Sequence, residues 1–378
     1  MKKVYLDNAA TTQIDDEVLK TMQMALATMY GNPSSTHSLG RSAKTSIETA
    51  RKNIAKLINA TPAEIIFTSG GTEADNMILR SSVRDLGVKR IITTKIEHHA
   101  VLNTVLQLEK EYHIAVHFLS LNENGDVLIN ELQQLLQDEV KTLVSLMHIN
   151  NETGNVTDVK KVAQLCKSYN VLFHTDAVQS VGHYEWDVKE TGVDFLSASA
   201  HKFHGPKGVG FAYIKNNLGI KPFIFGGEHE RGLRAGTEAV HNILGLETAF
   251  LKTMKTLEED QQKVKELKTY FVDKLKSEVP QVAFNGQCDT SENAYTILNL
   301  RFPIPENQAA MLLFQFDMNG IACSRGSACQ SGSNEPSHVL KEFLSEEDLK
   351  KASLRFSLSR LNTKEDVDYT VTTIKKLI

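Results

Sequence analysis

A chain of 378 residues with 41% hydrophobic and 23% charged residues and a formal net charge of −4 has the make-up of an ordinary globular protein, long enough for two packed units. It has no basic excess or basic run, so neither nucleic acid nor a membrane surface is expected as a partner, and no uninterrupted apolar stretch reaches membrane-spanning length. At the start, MKKVYLDNAATT, Asp7 and Asn8 follow almost directly on the lysines, which argues against a secretory signal and for the cytoplasm, where the four cysteines stay reduced.

From about residue 60 short β-rich runs alternate with amphipathic helical segments. The predicted strands are EIIFTSG, RIITTKI, AVHFLSL, TLVSLMHI, VLFHTDAVQ, DFLSASAHK and VGFAYI. Such alternation predicts an α/β fold built on a large, mostly parallel sheet. Val159, Val162, Ala163 and Cys166 fall at i, i+3, i+4 and i+7, so Cys166 is read as a small residue on a buried helical face. Beyond TEAVHNILGLETAF a long helical pattern keeps Phe250, Met254, Leu257, Val264, Leu267 and Phe271 at roughly helical spacing and is expected to join two units. AYTILNLRF and ASLRFSLSR then read as strands and SEEDLKKA as a helix start, which gives a smaller α+β C-terminal domain. The predicted division is an N-terminal segment, 1–14, packing with the small domain, a large domain over 15–257, and a small domain over 258–378 carrying the cysteine loop.

Several predicted strands end in residues with chemistry to offer, and ligands of open α/β sheets bind beyond the carboxyl ends of strands. SASAHKFHGPKGVG places Lys202 at such an end with Ser199 and His201 beside it, although a lone lysine in a turn is most often just solvated. VLFHTDAVQS places Asp176 where an ionised carboxylate needs a cationic partner, with the Gln179 amide close behind. TSGGTEADN ends a strand in glycines and opens a helix near Thr72, whose backbone N–H groups suit a phosphate. KIEHHAVL puts His98 at a helix entrance. A lysine for an imine, a carboxylate for a pyridinium nitrogen, a phosphate site and a histidine form a consistent set for pyridoxal 5'-phosphate. The glycines give neither the Walker nor the dinucleotide spacing. No metal site is expected, because neither H-E-x-x-H nor C-x-x-C spacing occurs.

IACSRGSACQSGS, residues 321–333, sets Cys323 and Cys329 six residues apart. The expected compartment disfavours a disulfide. Cys323 follows an apolar strand end and reads as packed, whereas Cys329 lies among glycines and serines. In SLRFSLSR, Arg355 alternates away from the apolar face, where its guanidinium can grip a carboxylate.

Taken together, YLDNAATT, GNPSSTHSLGR, FTSGGTEADN, EHHAV, MHINNETG, HTDAVQSVG, SASAHKFHGPKGVG, GGEHERGLRAGT, SRGSACQSGSNEPSHVL and RFSLSR resemble, over essentially the whole chain, the cysteine desulfurases of the NifS/IscS type. These are fold-type I, class V aminotransferase-like enzymes of pyridoxal phosphate. The resemblance implies L-cysteine as substrate, L-alanine as product, and Cys329 as the nucleophile that takes the sulfur as a persulfide. It implies that Lys202 binds the cofactor covalently and then serves as base, with His98 stacked on the ring as a second proton carrier. Gly71, Thr72, Ser199 and His201 would hold the phosphate, joined by Thr237 from a second subunit of a homodimer. Asp176 would meet the pyridine nitrogen, Gln179 the phenolic oxygen, and Asn151 the cofactor, while Asn32 and Arg355 would hold the substrate carboxylate. A sulfur-acceptor protein for iron–sulfur cluster assembly or tRNA thiolation would follow. A selenocysteine lyase or another class V enzyme remains the alternative. Arg325 departs from the serine common in the family, and Arg325 and His338 are candidates to favour the Cys329 thiolate.

Overall fold

The computed structural model describes residues 2–326 and 337–378. Its strands are β1 (Val4–Tyr5), β2 (Ile65–Thr68), β3 (Arg90–Thr93), β4 (Ala115–Phe118), β5 (Thr142–Ser145), β6 (Leu172–Asp176), β7 (Phe195–Ser199), β8 (Gly210–Ile214), β9 (Ala283–Phe284), β10 (Ile297–Pro305), β11 (Ile321–Ala322) and β12 (Lys351–Ser357). The seven predicted runs become one sheet in the order β2-β8-β7-β6-β5-β3-β4. All of its pairings are parallel except those of β8, which runs against β2 and β7.

Residues of β2, β3, β5, β7 and β8 are buried along their whole length, as strands covered on both faces must be. Neighbours in sequence go to opposite sides: Phe67, Val144, Leu196 and Phe211 pack with Ile47, Ile54 and Phe250. Ile66, Leu143, Phe195 and Ala212 pack with Met77, Ile78 and Val101. That division follows the two-residue period of a strand and makes this sheet the centre of two apolar layers.

A three-stranded antiparallel sheet, β12-β10-β9, anchors the smaller unit and packs against the helices Leu257–Glu278, Ala309–Met318 and Lys364–Leu377. Val4 and Leu6 lie in the same apolar cluster, β1 pairs parallel with β11, and Asp7 bridges to Ser357 on β12. The long helical pattern is in fact two helices, Val240–Lys255 and Leu257–Glu278, broken at Thr256 with φ −109° and ψ 14°. The break has a packing reason: Phe250 belongs to the large sheet's core, whereas Val264, Leu267 and Phe271 belong to the small one. Cys166 is buried on its helix as the spacing predicted, and Cys323 packs in the small core.

Candidate active site

The carboxyl ends of β2, β3, β5, β6 and β7 open onto a cavity of about 220 Å³. Each element delivers something to it. After β2 come Gly71, Thr72 and Asp75; after β3, His98; after β5, Met147, Ile149 and Asn151; from β6 and its exit, Asp176, Val178 and Gln179; from β7 and its exit, Ser199, His201 and Lys202. The N-terminal segment adds Ala9 and Ala10, and β12 adds Arg355.

Lys202 closes a single tight turn after β7, held by hydrogen bonds from Gly205 N and Phe203 N to the Ala200 carbonyl at 2.9 and 3.1 Å. A Cβ on Gly205 would lie 2.8 Å from that same carbonyl oxygen, so this return of the chain requires glycine. The Lys202 ammonium donates to the carbonyls of Ala9 at 2.6 Å and Ala10 at 3.0 Å, and Gln179 Nε2 donates to Ala9 at 2.9 Å. His183 Nε2 donates to the Lys202 carbonyl at 2.9 Å. Thr12 donates twice to the His201 carbonyl, from its backbone and from its hydroxyl, both at 2.9 Å. The DNAATT stretch is therefore part of the lysine's setting.

Asp176 ends β6, 7% exposed, with Oδ1 accepting from Val178 N at 2.9 Å. Burial first, and then the neighbouring Asp75, push its carboxyl up to about 7. Its ionised form thus calls for a cation. His98 caps the helix His99–Tyr112, its Nδ1 accepting from Ala100 N at 3.1 Å. Burial, and after it the charge of Lys202, drive the His98 imidazole down to about 4. At neutral pH the ring is therefore uncharged, with Nδ1 as acceptor.

The helix Gly71–Arg84 starts without a side-chain cap behind Gly70, whose φ of +151° is open to glycine. A Cβ on Gly70 would stand 3.4 Å from Ser199 Oγ. His201 Nδ1 is buried without a hydrogen-bond partner among the described residues, and burial followed by Lys202 and Lys207 lowers its imidazole to about 3.

Arg355 is 1% exposed, paired with Asp7 at 3.0 Å and donating from Nη1 to the Asn151 carbonyl at 2.7 Å. Two other predicted residues stand elsewhere. Asn32 is exposed and its side-chain Oδ1 accepts from Ser34 N at 2.9 Å, and Thr237 is exposed; neither lines the cavity of this chain. Cys329 lies outside the described residues. The Arg325 guanidinium is paired with the half-buried Glu306, and His338 Nε2 donates to the Glu97 carbonyl at 3.0 Å, so both of these candidates are engaged by other groups.

Sequence reasoning passed over Asp75, Asp7 and the Ala9 and Ala10 carbonyls. Asp75 is 1% exposed, 3.4 Å from His174 Nε2, and raised by burial to about 7. A signal existed, since Asp75 falls on the stripe of Ala74, Ile78 and Leu79 that its helix buries. The other residues carry none, because their importance is a matter of backbone oxygens and of pairing across almost the whole chain. Among the described residues no group of three or more His, Cys, Asp or Glu is placed to hold a metal ion, and no helix is long and apolar enough to cross a membrane.

The aminotransferase class-V family profile matches residues 4–370. Cysteine desulfurase IscS of Clostridium botulinum (strain Kyoto / Type A2) is 43% identical over 379 residues, covering 100% of this chain and 94% of that protein. Among solved structures a NifS-like protein superposes with a TM-score of 0.90 at 35% identity, covering 100% of this chain and 99% of the other. SspA in complex with cysteine superposes with a TM-score of 0.79 at 28% identity, covering 96% and 100%. Pyridoxal 5'-phosphate, the cofactor of this family, fits the residues present: a lysine amine, a buried carboxylate that calls for a cation, and an uncapped helix start lining the same cavity as His201, whose Nδ1 has no partner among the described residues. On this sequence and this architecture the chain belongs to the aminotransferase class-V family, among the cysteine desulfurases of the NifS/IscS type.

Proposed function

We propose that this chain converts L-cysteine to L-alanine and carries the sulfur away as a persulfide on Cys329. The observation that carries the proposal is the convergence on one cavity of the Lys202 amine, the buried Asp176 carboxylate and the buried Arg355 guanidinium, from three separate parts of the chain. Bound pyridoxal phosphate supplies the electron sink for chemistry at the substrate Cα. Asp176 would hold the ring nitrogen and Gln179 the phenolic oxygen, Asn151 would contact the cofactor, and Gly71, Thr72, Ser199 and His201 would hold the phosphate. Exposed Thr237 would reach the phosphate of a second copy, which makes the homodimer part of the proposal.

Arg355 would grip the substrate carboxylate by charge-assisted hydrogen bonds, whereas Asn32 stands off the cavity of this chain. Lys202, once its amine is neutral, takes the proton from Cα; His98, with Nδ1 engaged by Ala100 N and its imidazole lowered to about 4, is a weak base beside it. In the net reaction the Cβ–S bond of cysteine breaks, an S–S bond forms at Cys329, and Cβ gains a proton. Carbon is reduced while the sulfur pair reaches persulfide level, so atoms and electrons balance without an external oxidant. The other three cysteines are poor candidates: Cys166, Cys288 and Cys323 are all buried. Burial raises the first two thiols to about 12 and about 11, and the third further still. The persulfide would pass in the cytoplasm to an acceptor protein for iron–sulfur cluster assembly or tRNA thiolation, from a small domain over 258–378 set against a large domain over 15–257.

The test is incubation of the holoenzyme with L-cysteine, an alanine assay, and mass mapping of the alkylated persulfide. Equimolar alanine and sulfur on Cys329, lost in Cys329→Ser, are expected. Sulfur on Cys323, or undiminished turnover in Cys329→Ser, overturns the assignment.

A further inference from the structure

Along β5, β6 and β7 one face of the large sheet changes character just below the cavity. Leu143, Leu172 and Phe195 belong to the apolar layer on that face. Two residues further on, and so on the same face, come Ser145, His174 and Ser197. Strand register sets Ser145 beside His174 and Ser197 beside Asp176. These three side chains and Asp75, which reaches them from the helix Gly71–Arg84, are at most 1% exposed. A polar layer so far from water is costly unless its members satisfy one another.

His174 makes the pairs. Its Nδ1 lies 2.9 Å from Ser145 Oγ and its Nε2 3.2 Å from Ser197 Oγ. Hydroxyls both donate and accept, so the two serines leave the tautomer open. Asp75 decides it. Its Oδ1, without a hydrogen-bond partner among the described residues, stands 3.4 Å from His174 Nε2, and the Ser197 hydroxyl hydrogen-bonds to the same carboxyl. An ionised carboxylate only accepts, so the imidazole proton belongs on Nε2, Ser145 donates to Nδ1, and Ser197 turns its own proton to Asp75. Burial drives the His174 imidazole down to about 4, so at neutral pH it works as an uncharged donor. Asp75 and Asp176 both line the cavity, and the charge of the first is, after burial, what raises the second. The other titratable groups facing them are Glu97 from the exit of β3 and Lys202 from that of β7, with His98 beside the lysine.

We propose that His174 is a positioning residue for cofactor binding: from beneath the cavity it orders Ser197 and Asp75, and so fixes the charge that Asp75 presents to Asp176. The proposal rests on Asp176 holding the ring nitrogen. An apolar residue at 174 would simply continue the stripe begun by Leu172, so core packing alone does not call for an imidazole there. Without the Nε2 proton, Asp75 is left buried with poorer support for its ionised form and keeps its own proton to higher pH. Its repulsion is then missing where Asp176 ionises, and Asp176 loses its proton at lower pH.

The test is binding of pyridoxal phosphate, followed by absorbance at pH 6 and pH 8, to protein stripped of its cofactor, for the parent, His174→Phe, His174→Gln and the milder Ser145→Ala, which only releases Nδ1. The ratio of the two affinities cancels any uniform loss of binding. It should fall from roughly tenfold in the parent to roughly two- to fourfold in His174→Phe, as a midpoint lower by roughly half to one pH unit gives, and part of the way in Ser145→Ala. Gln, which keeps an N–H for Ser197, should hold the parent ratio. Asp75→Asn lowers the ratio by itself, and adding His174→Phe to it should change nothing more, since His174 acts through Asp75. Parent ratios in His174→Phe and Ser145→Ala overturn the proposal, as does a further fall in the double variant; if His174→Phe does not fold, Ser145→Ala decides alone. A parent ratio no different from that of Asp176→Asn removes Asp176 from the ring nitrogen, and the proposal with it.

Discussion

Asp7 Oδ1 lies 3.0 Å from Nη2 of Arg355, joining the exit of the first strand to the last strand of the small sheet across 348 positions of sequence. The arginine is 1% exposed, and its Nε has no hydrogen-bond partner among the described residues. A substrate carboxylate held by Arg355, as proposed, would meet a guanidinium that Asp7 has already partly neutralised. Asp7→Asn leaves a buried charge uncompensated and is expected to cost about 3 kcal/mol of stability. L-Alanine, the product, brings a carboxylate to the same place and should raise the melting temperature of the variant more than that of the parent. An equal or smaller shift would show that Arg355 does not take the carboxylate. Arg355→Ala, which removes a charge-assisted hydrogen bond, should raise KM for cysteine about tenfold or more.

Cofactor binding should depend on pH through Asp176. Burial and then Asp75 raise this acid to about 7, so it is mostly neutral at pH 6 and mostly ionised at pH 8. Only the ionised form supports a protonated ring nitrogen. The affinity for pyridoxal phosphate should therefore rise with pH up to the midpoint, by at most about tenfold per pH unit, and level off above it. Asp176→Asn flattens that profile, while Asp75→Asn, which removes the second cause of the rise, moves the midpoint to lower pH. Titration by absorbance at several pH values reads all three. A parent profile identical to that of Asp176→Asn would rule the carboxylate out of ring binding.

Much of this site was legible because strands announce where they end. Lys202, Asp176, His98 and Gly71 each follow a β-rich run, and a largely parallel sheet brings such ends together whatever the details of packing. What stayed hidden depends on distance in sequence or on burial. Asp7 and Arg355 pair only once β1 is laid beside the small sheet, and no periodicity encodes that contact. The low titration of His98 is a property of its surroundings, since an isolated imidazole titrates near neutrality. Thr256 could not be read as a break, because the apolar spacing runs on through it while the core being served changes.

The segment that carries Thr237 is held by a buried ion pair that can be tested on its own. Arg51 and Glu230, 2% and 4% exposed, form a two-pronged contact at 2.7 and 2.8 Å. Glu230 Oε2 also accepts from Phe67 N at 2.8 Å, and the guanidinium lies 4.6 Å above the Phe67 ring. Glu230 and Arg231 both adopt left-handed backbone, at φ +47° and +59°, a conformation that costs about 1 kcal/mol or more per residue unless the surroundings enforce it. The pair supplies that enforcement. Glu230→Gln should lower stability by about 3 kcal/mol, because it leaves the buried Arg51 only the half-exposed Glu48, 3.1 Å from its Nε, as carboxylate partner. The double variant Arg51→Met, Glu230→Leu removes both charges and should recover most of that loss. Urea unfolding of the parent, the two singles and the double gives the coupling directly. If the double variant is as unstable as the sum of the singles, the pair is not what keeps the segment in its strained course.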